Sequence, residues 1–251
     1  MPDVKISYED LLSGDRIPIA GVGHLRSPQL KEMRPTSGIG WNLYRVYVFY
    51  LKQGKEDLAQ LLKFEFPEMS VFDIVISIDE LRNLYQDALA FFMSECVRYD
   101  TTSQSFVCIQ IEPNGGETIV GTIDRDNFDE VRLMILTLNY ISTKDVDVAV
   151  KFSSDAAKQA WEQVQEYMRQ NQEQASRADN DIMQVGNLIS KLCAMHPSIN
   201  YTNVFELTVF QFYDTFFQMS YLRQIGFTED IVANHGSDQF QYEDWLKPVQ
   251  Y

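Results

Sequence analysis

The clearest hydrophobic pattern lies in DELRNLYQDALAFFM, where Leu81, Leu84, Tyr85, Ala88 and Phe92 recur at three- and four-residue intervals. That spacing predicts an amphipathic helix beginning at Ser77 or Asp79. A second helix is predicted over FDEVRLMILTLNYIS, capped by Asp126 or Asn127, with Asp129 and Glu130 complementing the positive end of its dipole. Between the two, Ser105–Ile111 and Glu117–Ile123 flank PNGG, which predicts a β-hairpin over 105–123. A hairpin alone is marginal, so it must lie on neighbouring helices or join other strands. Upstream, WNLYRVYVFYL (Trp41–Leu51) is dominated by aromatic and β-branched residues. Its length favours a helix over a strand, and Gly54 breaks it.

The pattern changes at both ends of this region. Residues 1–40 have few apolar anchors and many turn residues, and read as an extended N-terminal arm lying on the surface of something else. Residues 41–152 then form an α+β domain. From 153 to 181 the sequence turns Gln- and Asn-rich, reading as a polar linker helix that marks a domain boundary. Residues 182–251 begin with Ile182, Val185, Ile189 and Leu192 at helical spacing, stopping before Pro197. A short connection leads to Asn203–Gly226, which holds five phenylalanines and two tyrosines. Asn203 and Glu206 have the spacing of a capping box, and Gly226 suits a left-handed stop. The pair of helices predicts an antiparallel hairpin, followed by a docking tail around Trp245 and Leu246. The fold class expected is α+β, mostly α-helical: an N-terminal helical domain with a small antiparallel hairpin, a linker helix and a C-terminal helical hairpin.

Composition narrows the function classes. The chain has 251 residues, 45% of them hydrophobic, and a formal net charge of −15. Such an acidic chain is repelled by phosphate backbones and by anionic membranes, so neither nucleic acid nor membrane is an expected partner. Cys96, Cys108 and Cys193 are widely spaced and read as reduced thiols of a cytoplasmic protein. The N-terminal sequence lacks the pattern of a secretory signal, and no apolar run approaches a membrane span.

Candidate chemistry is sparse. His24, His196 and His235 show no metal-ligand spacing, and the histidines read as structural or exposed. Gly21-Val22-Gly23 follows a β-like run but lacks the third glycine and the βαβ context of a dinucleotide loop. Asp124, Asp126 and Asp129 cluster at a helix start, where capping accounts for them. No serine has a G-x-S-x-G setting. The expectation is a non-enzyme with no cofactor, metal or catalytic residue. In the aromatic helix, Phe205, Val209, Phe212 and Phe216 form a core stripe. Phe210, Phe217 and Tyr221 exceed what one partner helix can cover; burial against the N-terminal domain is the favoured reading and an oligomer or partner interface the other, for which they and Trp245 are the candidate partner-binding residues.

Three segments resemble tailed-phage tail-region morphogenesis proteins of the tail assembly chaperone-like kind. They are SYEDLLSGDRIPIAGVGHLRSPQLKEM with GIGWNLYRVYVFYL, the centre ETIVGTIDRDNFDEVRLMILTLNYIS, and the ending NYTNVFELTVFQFYDTFFQMSYL. The order of the segments is also similar, and the ending is the most specific of them. The resemblance implies a non-enzymatic chaperone that binds helical tape-measure segments during tail assembly in the host cytoplasm. A neck, tail or baseplate subunit of the virion is the alternative, with phage tail proteins or further copies of the chain as partners.

Overall fold

The computed structural model describes residues 6–141 and 185–235, with side chains as far as residue 223. The polar linker expected at 153–181, Ile182, and the tail with Trp245 lie outside the described residues. The chain divides into two units, Met1–Val150 with Thr208–Phe210, and Lys151–Leu207 with Gln211–Tyr251. The fold is α+β and mostly helical, as its hydrophobic periodicities predict.

In the first unit, helix α1 (Tyr8–Ser13) opens on a reciprocal cap between Ser7 and Asp10 and closes at Gly14 in the left-handed conformation. Strands β1 (Ile17–Ile19) and β2 (Gly23–Leu25) pair antiparallel, with Ile17 opposite Leu25. The apolar anchors of this segment are largely used: Ile6, Leu11, Leu25, Leu30 and Met33 are buried, while Leu12 is exposed. Where it is described, the segment is thus an integral part of the first unit, which corrects the expectation of an extended arm. A short helix and a hairpin concentrate the burial that few residues can supply.

Helix α2 (Trp41–Lys52) forms over the aromatic run as expected, and Gln53 and Gly54 separate it from α3 (Lys55–Leu62). Helix α4 (Val71–Ser77) starts from a second reciprocal cap, Ser70 with Asp73. Helix α5 (Asp79–Phe92) follows the predicted stripe, burying Leu81, Tyr85, Ala88 and Phe92. The predicted hairpin is present as β4 (Ser105–Ile111) and β5 (Glu117–Ile123), extended by a third strand, β3 (Cys96–Asp100), into an antiparallel sheet ordered β3-β4-β5. One sheet face buries Val97, Phe106, Cys108 and Ile123. Phe106 stacks edge-on with Phe72 at 6.2 Å and Tyr99 at 5.4 Å, and Phe72 with Phe128 at 5.3 Å.

The β1–β2 turn sits directly on β5. The Thr122 amide donates to the Gly21 carbonyl at 2.9 Å. A Cβ at Gly121 would stand 2.4 Å from that same oxygen, so this approach needs glycine. Helix α6 (Phe128–Leu138) follows Asn127, whose Oδ1 accepts from the Asp124 amide rather than capping the helix. Inside the unit, the Arg132 guanidinium donates to the Leu51 carbonyl at 3.2 Å and to the Gln53 carbonyl, satisfying the last turn of α2.

Three residues from far along the sequence complete this core. Thr208 bridges to Gln29, and the Val209 amide donates to the Pro28 carbonyl at 2.9 Å. Phe210 is fully buried, with its ring 6.2 Å from Tyr8 and 5.1 Å from Tyr140.

In the second unit, α7 (Val185–Met195) buries Val185, Leu188, Ile189 and Leu192 and ends before Pro197. The His196 Nδ1 accepts from the Ser198 and Ile199 amides, turning the chain. Two expectations about the aromatic helix are corrected. Asn203 does not cap it: its side chain joins Asn200 and Ser198, residues 204–206 form a 3-10 turn, and α8 (Val209–His235) starts after Leu207 has become extended. Nor does the helix stop at Gly226, which lies inside α8. An interior glycine costs only about 1 kcal/mol relative to alanine, so a continuing hydrogen-bond ladder overrides the stop signal.

Candidate functional site

Of the four residues expected to bind a partner, two are inside the protein. Phe210 and Phe217 are buried, Tyr221 is half-buried, and Trp245 lies outside the described residues. Phe210 fills the core between Tyr8 and Tyr140. The Phe217 ring stacks on Tyr213 at 6.2 Å and meets Phe216 edge-on at 5.6 Å. Phe210 and Phe217 thus present no free surface, and a partner surface has to be sought on other elements. Of the predicted core stripe, Val209, Phe212 and Phe216 are buried and Phe205 is half-buried.

The polar clusters singled out in the sequence resolve into local structure. Gly21-Val22-Gly23 forms the β1–β2 turn, with no helix opening behind it. His24 meets Glu95, with Nδ1 2.7 Å from Oε1 and the backbone amide donating to Oε2 at 3.0 Å. Asp124 accepts from the Asp126 amide, and Asp129 pairs with Arg132 at 2.9 Å. Burial, with Glu95 and Cys96 nearby, pushes the Cys108 thiol up to about 12, which removes it as a nucleophile at neutral pH. No group of three or more metal-ligating side chains converges among the described residues. No helix of the described residues is long and apolar enough to cross a membrane.

Besides Leu12, Leu61 and Phe64, the exposed apolar side chains of the first unit fall in two places. On the sheet, pairing of Ile109 with Ile119 and of Ile111 with Glu117 puts these side chains on one face. Ile111 and Ile119 are 60% and 64% exposed at its outer end. A two-point ion pair crosses this face, Arg98 to Glu117 at 2.9 and 3.0 Å.

The second place is α2. Tyr44, Tyr47 and Leu51 turn inward, and the Tyr44 hydroxyl donates to Asn139 Oδ1 at 2.9 Å. Leu43, Val46 and Phe49 turn outward at successive three-residue steps and are exposed. Sequence reading identified the helix but not this surface. The signal is the apolar run itself: a helix with apolar residues on more than one side that is not enclosed leaves some of them exposed.

Comparison with known proteins bears on residues 171–250, which match the family model described as the YomV second domain, a phage-derived domain. No curated protein and no solved structure matches the chain.

Proposed function

We propose that this chain is a non-enzymatic phage tail morphogenesis protein that acts in the host cytoplasm as a chaperone for helical tape-measure segments. The observation that carries the setting is the match of residues 171–250 to a phage-derived domain. Two features of the chain support a binding role in that setting. Exposed apolar side chains on α2 and on the outer sheet face offer contact area. The net charge of −15 would keep a complex with an apolar helical partner in solution.

A tape-measure protein exposes apolar helical stripes until the tail tube closes around it, and a chaperone would cover them in the interval. Co-expression with tagged tape-measure segments should retain this chain on the resin, while mass spectrometry of purified particles should not find it. Its stoichiometric presence in particles would replace this reading with that of a virion subunit. Failure to associate with any tape-measure segment would overturn the chaperone role.

A further inference from the structure

We propose that the outer face of α2 is a docking surface for an amphipathic helix of a partner protein whose apolar stripe is flanked by acidic side chains. Leu43, Val46 and Phe49 are 40%, 39% and 47% exposed, and follow one another at successive turns. The opposite side of the helix is anchored in the first unit through Tyr44, Tyr47 and Leu51, so the exposed stripe stands on a rigid base. Twelve residues give a platform about 18 Å long. That matches the three or four turns over which a docking helix places its anchors.

Charge selects the occupant. The chain carries 36 acidic and 21 basic residues, yet the α2 sequence WNLYRVYVFYLK has two cations and no carboxylate. Arg45 and Lys52 are exposed and seven residues apart, about two turns, so they line one flank of the stripe. Neither has a carboxylate partner among the described residues. By contrast Arg26, Arg82, Arg98, Arg125 and Arg132 each pair with one. The exposed sheet face carries no such selector, because Arg98 is already neutralised by Glu117. A second copy of this chain fits poorly. A two-fold contact between α2 faces would set Arg45 and Lys52 of one copy beside the same cations of the other.

This inference rests on the chain acting by binding protein, and it is testable without any phage component. Two designed peptides of about 18 residues, long enough to hold a helix, would share one leucine stripe and differ in glutamate or lysine flanks. Titrated against the full chain, the glutamate peptide should bind about tenfold tighter or more, and its advantage should shrink with added salt. V46S/F49S should weaken that binding about tenfold with an unchanged melting temperature, since both positions are exposed. R45E/K52E should reverse the preference. Equal affinity for the two peptides, or a preference unmoved by charge reversal, would overturn the inference. So would a dimeric molar mass that V46S/F49S reduces to that of a monomer, because a second copy would then occupy the face. None of these outcomes depends on whether particles contain the chain.

Discussion

The Tyr44 hydroxyl donates to Asn139 Oδ1 at 2.9 Å, and Asn139 Nδ2 donates in turn to the Ile135 carbonyl at 2.6 Å. This buried chain of hydrogen bonds ties the N-terminal part of α2 to the C-terminal end of α6, where the Ile135 carbonyl accepts from both the Asn139 side chain and its backbone amide. Tyr44→Phe keeps the ring but removes the donor that Asn139 meets. It should lower stability by about 1–3 kcal/mol, the cost of a buried polar group losing its partner. Urea unfolding of the two proteins measures the difference, and a midpoint unchanged by the substitution would show that the bond contributes nothing.

Phe210→Ala should be among the most costly single changes, at about 3–5 kcal/mol. It would open a cavity between Tyr8 and Tyr140 in the first unit. Phe49→Ala, at an exposed position, should cost less than about 0.5 kcal/mol. Thermal melts of the two variants side by side test the assignment. Similar losses would argue that Phe210 is not a core residue.

Acid stability should depend on Asp73. Burial raises its carboxyl, but hydrogen bonds from the Ser70 backbone and hydroxyl, then the Arg125 hydrogen bond and charge, outweigh it and hold the group below its ordinary value of 3.8. A depressed folded-state value adds stability that is fully present above the unfolded value and lost as pH falls through the folded one. Asp73→Asn should therefore be less stable than the parent at pH 7, by about 1 kcal/mol. The gap should close below pH 4 as the parent's carboxyl protonates. Urea midpoints at the two pH values read this directly, and a gap that persists at low pH would assign the loss to shape rather than charge.

Thiol chemistry gives a further check on the sheet. Cys108 is fully buried, whereas Cys96 and Cys193 are only partly covered. With its thiol pushed up to about 12, Cys108 should resist iodoacetamide at pH 8 until the protein is unfolded. Peptide mapping after timed alkylation would follow each cysteine separately. Rapid labelling of Cys108 in the native protein would contradict its place on the inner face of β4.

What could be read from the sequence was whatever is encoded locally. The α5 stripe, the Asn-Gly-Gly turn of the hairpin and the length of the α2 run each carry their own period or turn chemistry, and each forms the expected element. What escaped was decided by residues distant in sequence. Asn203 has the right neighbours for a cap, but the pairing of Thr208 with Gln29 and of Val209 with Pro28 moves the helix start to Val209. Strand β3 has no strong alternation of its own and is fixed by the register that pairs Val97 with Cys108. The candidate surface was obscured for a related reason. Aromatic abundance singled out Phe210 and Phe217, yet abundance cannot tell a side chain that fills a core from one that faces a partner.

The return of Thr208–Phe210 to the first unit sets an order on biosynthesis. The ribosome makes residues 6–141 first, but the Phe210 ring that fills the space between Tyr8 and Tyr140 is made later, after α7. A nascent chain ending anywhere before residue 208 therefore leaves those two tyrosines without the ring between them, and the first unit's core is completed only once translation has passed residue 210. A chain terminated before residue 208 would lack the ring between Tyr8 and Tyr140, and its first unit should be weakened on the scale of Phe210→Ala, about 3–5 kcal/mol.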